Sequence, residues 1–145
     1  QAALPHLKRA EWGRIVTNMT SYRTMLRVLP YGATKSALES MSAVWALELD
    51  GTNVTSNVLV PGGPTDTPFI NDASGWPRDQ RLRPSIMGPP ICWLMSEGSN
   101  GVNGKRFTAQ HWDAALSPDE AAKIAGRDIG WPELAAGPAW FTTKA

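Results

Sequence analysis

One cysteine, two histidines and a nearly balanced charge exclude several classes of protein before any motif is considered. Cys92 has no second cysteine to pair with, so an internal disulfide and a thiolate metal cluster are both ruled out. Its neighbours Ile91, Trp93 and Leu94 are apolar and predict a buried, structural thiol. His6 and His111 stand singly and far from any motif, which favours surface or packing roles over metal binding or catalysis. Fourteen Lys and Arg against thirteen Asp and Glu leave a net charge of +1, with the basic residues scattered along the chain. Without a basic stripe, neither nucleic acid nor a membrane surface is expected as a partner. Apolar runs such as Ile91 to Met95 fall far short of the ~20 residues that span a bilayer. No charged start leads into an apolar run as a secretory signal would, so the expected location is cytoplasmic, and the sequons at Asn18 and Asn53 read as chance.

What is present can build a core. The 145 residues are 42% hydrophobic, within the range of one domain. Seven tryptophans are many for this length; most should pack, and Trp76 and Trp112 are the candidates for substrate or subunit contacts. Gln1 to Ala10 reads as the end of an amphipathic helix, as though the chain started in mid-domain.

Arg14 to Ser21 is a short β-branched run, opened by Gly13 and closed by hydroxyl residues, and predicts a buried strand. From Pro30 the apolar residues Ala33, Ala37, Leu38, Met41, Val44, Trp45 and Leu49 recur every three or four positions. They predict a helix of about five turns with that face buried, closed by Asp50 and Gly51. Val54 to Val60 is a second strand and runs into Pro61-Gly62-Gly63-Pro64, which forces a loop. Thr65 to Arg83 has no period and reads as a long surface segment of the kind that forms lids or binding loops. A short helix around Pro89 to Ser96 and a third strand at Lys105 to Ala109 follow. Ser117-Pro118-Asp119-Glu120 is a capping box opening a helix that should stop at Gly126, and an extended tail is expected beyond Gly130. Strands alternating with helices imply parallel pairing through right-handed crossovers. The expected class is α/β, a partial doubly wound, Rossmann-like parallel sheet of three strands, with a short C-terminal helix and tail. Residues 1–110 would form the fold and 111–145 an extension.

In open parallel sheets, ligands bind beyond the carboxyl ends of the strands. Thr20-Ser21, the helix opening at Tyr31, and Pro61-Gly62 converge there. Gly13 to Val16 leading to Thr20-Ser21, then Tyr31-Gly32-Ala33-Thr34-Lys35-Ser36-Ala37-Leu38, then Val54 to Asn57 leading to Pro61-Gly62 and Thr65-Asp66-Thr67, resembles the short-chain dehydrogenase/reductase family. Tyr-x-x-x-Lys alone arises by chance in many chains; four linked matches in order are specific. The resemblance covers roughly residues 1–110, with Gly101 to Thr108 similar to the family's last strand.

The resemblance implies a carbonyl–alcohol oxidoreductase using NAD or NADP on a small-molecule carbonyl or alcohol substrate, working as a homo-oligomer when complete. Tyr31 would exchange the substrate proton, and Lys35 would support it and bind the nicotinamide ribose. Positions i and i+4 share a helix face, so the two can act together. A free phenol has a pKa of about 10, and a positive charge at about 4 Å in a medium of effective dielectric about 20 could lower it by ~3 units. A hydroxyl at the end of the first strand would hold the substrate oxygen: strand alignment favours Thr20, residue type favours Ser21. Pro61, Gly62 and either Thr65 or Thr67 would contact the cofactor. Gly98 to Gly104 has spaced glycines but precedes a strand, so it does not fit a pyrophosphate cradle, which requires a strand, a turn and a helix N-terminus. An inactive fragment serving at most in binding or dimerisation, and a related dehydratase or epimerase, are the competing readings; Pro61-Gly62 favours the dehydrogenase over the latter.

Overall fold

A computed structural model describes residues 2–71 and 74–135. The chain runs α1 (Leu4–Arg9), β1 (Gly13–Asn18), α2 (Tyr22–Met25), α3 (Tyr31–Glu48), β2 (Val54–Val60), α4 (Gly88–Leu94), β3 (Lys105–Thr108), α5 (Pro118–Ala125), β4 (Gly126–Asp128) and α6 (Pro132–Ala135). Among the described residues the sheet has the order β1-β2-β3-β4. β1 lies parallel to β2 with Gly13 opposite Val54 and Asn18 opposite Leu59, and β2 lies parallel to β3 with Val58 opposite Arg106. This is the α/β class expected, with helical crossovers between parallel strands.

Two features differ from the expectation of three strands and a tail. Gly126 does not merely stop α5; it begins β4, which runs antiparallel to β3 with Lys105 opposite Asp128. A Cβ on Gly126 would lie 2.8 Å from the Ala122 carbonyl oxygen and 3.0 Å from the Phe107 ring, so the missing side chain lets the turn press onto the sheet. Residues on both sides of position 110 therefore share one sheet and one core. After Gly130 the chain turns into the short α6; the rest of the expected tail, 136–145, lies outside the described residues.

Because side chains alternate across a strand, the sheet has two unlike faces. On one, Leu59, Leu94, Phe107, Ala109, Ala122 and Ala125 form a buried cluster, with Trp93 and Trp112 packed against it. Fully burying Phe107, Leu59 and Leu94 contributes roughly 1.5–3 kcal/mol each. The α5 capping box forms as expected: the Ser117 side chain accepts from the Glu120 N–H and the Glu120 carboxylate accepts from the Ser117 N–H.

The opposite face receives α3, and here the expected orientation holds only in part: Leu49 is buried and Leu38 packs on the core, but the rest of the stripe turns differently. The period is helical, but the other buried residues of the helix are Gly32, Glu39, Ser42 and Ala46, while Ala33, Ala37, Met41 and Val44 face outward. Met41 and Val44 remain 48% and 47% exposed, so this part of the apolar stripe is surface. The inward stripe is polar yet satisfied: the Ser42 hydroxyl is 3.0 Å from Thr17 Oγ1 and 2.8 Å from the Leu38 carbonyl, and Ser56 donates to the Ser42 carbonyl. Paired polar groups can occupy a buried interface without the cost of unmet hydrogen bonds. Cys92 is a second correction, since its thiol is exposed. α4 buries Pro90 and Leu94, four residues apart, and Cys92 lies on the other side of that turn.

Candidate active site

The carboxyl ends of β1 and β2 and the start of α3 meet at one edge of the sheet. α3 enters this edge against α2, and the contact requires a glycine. A Cβ on Gly32 would stand 2.4 Å from the Met25 carbonyl oxygen and 2.8 Å from that of Thr24. This close approach seats the first turn of α3, and with it Tyr31, half-buried beside the end of β1. One turn later Lys35 reaches back, its Nζ donating to the Asn18 carbonyl at 2.9 Å and lying 5.8 Å from the centre of the Tyr31 ring. The predicted pair is thus brought together, with the ammonium anchored on the strand end. An ammonium carries three N–H donors, and one is accounted for by Asn18.

Thr20 and Ser21 sit at the same edge, and the observed contacts of the Ser21 side chain are local. The Ser21 side chain caps α2 by accepting from the Thr24 N–H at 3.1 Å, and its oxygen lies 2.9 Å from Thr24 Oγ1. The Thr20 carbonyl accepts from Arg106 Nη2. A serine hydroxyl that accepts as a cap still carries its own proton and a further lone pair.

Pro61 and Gly62 continue directly from β2, the Pro61 carbonyl accepting from the Gln110 N–H at 3.0 Å. Gly62 has φ +107°, and a Cβ there would lie 2.6 Å from Gln110 Cβ; the glycine is required by that approach of the chain. The Thr65 hydroxyl donates to the Gly63 carbonyl at 3.2 Å and the Thr67 hydroxyl to the Thr65 carbonyl at 3.4 Å. Both alternatives thus stay on the loop, each held by its own backbone.

The segment from Thr65 to Arg83 has no regular period, yet it is tied at its base. Thr65 and Leu82 form a parallel bridge, and the Arg81 guanidinium donates to the carbonyls of Ile70, Asn71 and Trp76 while lying 3.7 Å from Asp66. Phe69, on this loop, lies 5.2 Å from the Tyr31 ring at 43° and is 70% exposed. Trp76, singled out in the sequence, is half exposed on the same loop; Trp112 instead packs on Trp93 at 5.8 Å.

Sequence reasoning missed the polar group beneath the site. Glu39, fully buried, meets Arg106 Nη1 at 2.5 Å through Oε2, while Oε1 lies 3.1 Å from the Gly130 N–H and 3.2 Å from the Tyr22 hydroxyl. That hydroxyl donates to the Gly130 carbonyl at 2.6 Å, and its ring lies 4.2 Å from the Arg106 guanidinium carbon. Burial pushes the Tyr22 phenol up to about 12, and nearby Glu39 adds to this against the opposing pull of Arg106. The available signal was spacing: Tyr31, Lys35 and Glu39 recur every four residues, and Arg106 is a charge inside a strand.

Two cavities of about 420 and 400 Å³ lie away from this edge. One is lined by Arg14, Thr52 and Thr55 near the amino ends of the strands, the other by Trp93, Trp112 and Cys92. Among the described residues no cluster of His, Cys, Asp or Glu could hold a metal ion, and no helix is long and apolar enough to cross a membrane.

A sequence model of the family described as short chain dehydrogenase matches residues 1–77, more than half of the chain. The chain belongs to the short-chain dehydrogenase family. Its similarity to this family extends to NADPH-dependent aldehyde reductase 2, chloroplastic, of Arabidopsis thaliana, with 29% identity over 118 residues, 74% of this chain and 43% of that protein. A short chain dehydrogenase from Salmonella enterica serovar Typhi superposes with a TM-score of 0.67 at 28% identity, over 76% of this chain and 46% of the other. One from Pseudomonas syringae gives 0.68 at 33% identity, over 75% and 45%. This family member therefore spans less than half the length of the relatives it matches.

The residues present fit one end of a dinucleotide. Lys35 Nζ has N–H donors beyond the one on the Asn18 carbonyl, beside the Tyr31 ring, as the ribose end would require. For the pyrophosphate end no glycine-rich turn passes directly from a strand into a helix among the described residues: Gly98, Gly101 and Gly104 precede β3.

Proposed function

We propose that this chain carries the proton-transfer half of an NAD(P)-dependent oxidoreductase that interconverts a carbonyl and a secondary alcohol in a small molecule. The observation that supports this most is the Lys35 ammonium, held on the end of β1 and beside the Tyr31 ring on the helix that the family motif occupies. In the reductive direction the Tyr31 hydroxyl donates its proton to the carbonyl oxygen; in the oxidative direction the phenolate takes the alcohol proton. Lys35 stabilises that phenolate and holds ribose hydroxyls with its remaining N–H groups. The hydroxyl of Ser21 or Thr20 orients the substrate oxygen, and Pro61, Gly62 and Thr65 or Thr67 line the cofactor side. Hydride exchange is the chemistry that a bound nicotinamide supplies. NADPH is the first cofactor to test, since the Arabidopsis relative is described as NADPH-dependent.

The experiment is an assay of the complete open reading frame's product for aldehyde- and ketone-dependent consumption of NADPH and NADH. Oxidation of either dinucleotide that depends on the carbonyl is expected; none with any carbonyl of a broad panel would overturn the reading.

A second reading, a fragment without activity that serves in association, draws on the outward stripe of Ala33, Ala37, Met41 and Val44 along α3. The same stripe is the face on which a homo-oligomer of the active enzyme would form. Calorimetric titration of the complete reading-frame product with NADPH, together with sedimentation of the same sample, separates the two. Self-association without dinucleotide binding by the complete reading-frame product would favour the second.

A further inference from the structure

Tyr31, Lys35 and Glu39 follow one another at four-residue spacing, a broad face of α3 turned toward the end of β1. Each of the last two reaches that strand end, though by different routes. Lys35 does so directly, through the Asn18 carbonyl. Glu39 does so through Arg106: one amino group of the guanidinium is held by the buried carboxylate, and the other donates to the Thr20 carbonyl. Both partners are nearly sealed from solvent, at 0% and 6% side-chain exposure.

A buried ion pair is seldom a net source of stability, because desolvating two charges offsets their attraction. Its value lies in geometry. A guanidinium is planar and forked, so fixing one branch on Glu39 aims the other. The peptide it holds joins Thr20 to Ser21, the two hydroxyls that compete for the substrate oxygen. The remaining Glu39 oxygen is occupied by the Gly130 N–H, and the Tyr22 ring lies over the guanidinium, so the fork has little freedom to rotate.

We propose that Glu39 and Arg106 are positioning residues that set the Thr20–Ser21 peptide at a fixed distance from Tyr31 and Lys35. This rests on the oxidoreductase reading above. The pair touches neither substrate nor cofactor; it acts through the hydroxyl segment. Its consequence is a turnover that depends on the fork of Arg106 and not merely on its charge.

The test is Arg106→Lys in the complete reading-frame product. An ammonium keeps the ion pair with Glu39 but cannot also reach Thr20. The expected result is a fall in kcat of about tenfold to a hundredfold, with the dinucleotide Kd unchanged to within about twofold. In the 145-residue chain the Ser21 amide resonance should move, because the carbonyl of its peptide has lost a donor. An unchanged kcat alongside a displaced Ser21 resonance would overturn the proposal, and so would a Ser21 resonance that stays in place. Should Arg106→Lys fail to fold, Glu39→Gln decides by the same two readouts, since it preserves the shape and loosens the fork. Should the parent protein turn nothing over, the oxidoreductase reading fails on its own, and the Ser21 resonance still decides whether the fork positions this peptide.

Discussion

The two faces of the sheet are held by different physics. Under α4 and α5 the interface centres on an apolar cluster of Leu59, Leu94, Phe107 and three alanines, with buried Arg14, Asn57 and Ser99 hydrogen-bonded toward the amino ends of the strands. Under α3 it mixes apolar residues such as Met19, Met25 and Val58 with a connected polar set: Thr17, Ser42 and Ser56, then Glu39, Arg106 and Tyr22. The apolar cluster is tolerant, since dispersion and the hydrophobic effect have no direction. The polar face is exacting, since each hydrogen bond fixes a distance and an angle. The candidate site stands on the exacting face, where position matters most.

That contrast can be broken most sharply at Arg106. Arg106→Met strands the Glu39 carboxylate in the interior and should cost about 3–5 kcal/mol, whereas the double replacement Glu39→Leu with Arg106→Met should recover most of that loss. Urea unfolding of the single and double variants measures both; a double variant no more stable than the single would contradict the account of the polar face. On the apolar face, Leu94→Ala should cost about 2–5 kcal/mol as a cavity. Its loss should add to that of Arg106→Met, because the two residues lie on opposite sides of the sheet. Strong coupling between them in a double-mutant cycle would show that the faces are not independent.

A smaller effect is set by pH. The Tyr22 phenol is held protonated in the fold up to about 12, against its ordinary 10. Its contribution is therefore complete below pH 10 and is lost as the pH rises through 12, because in that window the unfolded chain releases a proton that the folded chain keeps. Tyr22→Phe should flatten the decline of stability between these two values. An identical alkaline decline in the variant would remove Tyr22 as its source.

The same contrast explains what could be read from the sequence. Strand β2 and helix α5 were legible to the residue, because a β-branched run and a capping box are local signals. The length of α3 was legible from its period; its orientation was legible only in part, at Leu38 and Leu49. The whole apolar stripe was expected to face inward, and much of the surface that does so is instead Glu39 and Ser42. Their burial depends on Arg106 and Thr17, partners 67 and 25 residues away, and no local pattern reports such pairing. Strand β4 was hidden because a glycine that ends a helix and a glycine that lets a strand approach Phe107 look alike in one dimension. Tyr31 and Lys35 were expected from linked motifs, and the structure sets them side by side. The position of Thr20 and Ser21 relative to them depends on side chains that those motifs do not include.

The most direct measurement is the turnover of Tyr31→Phe in the complete reading-frame product, with dinucleotide affinity measured on the same sample. Removing one hydroxyl should lower kcat by about 10²–10⁴-fold and leave the dinucleotide Kd within about threefold. Turnover within a few-fold of the parent would contradict the assignment of Tyr31 as the proton-transfer group.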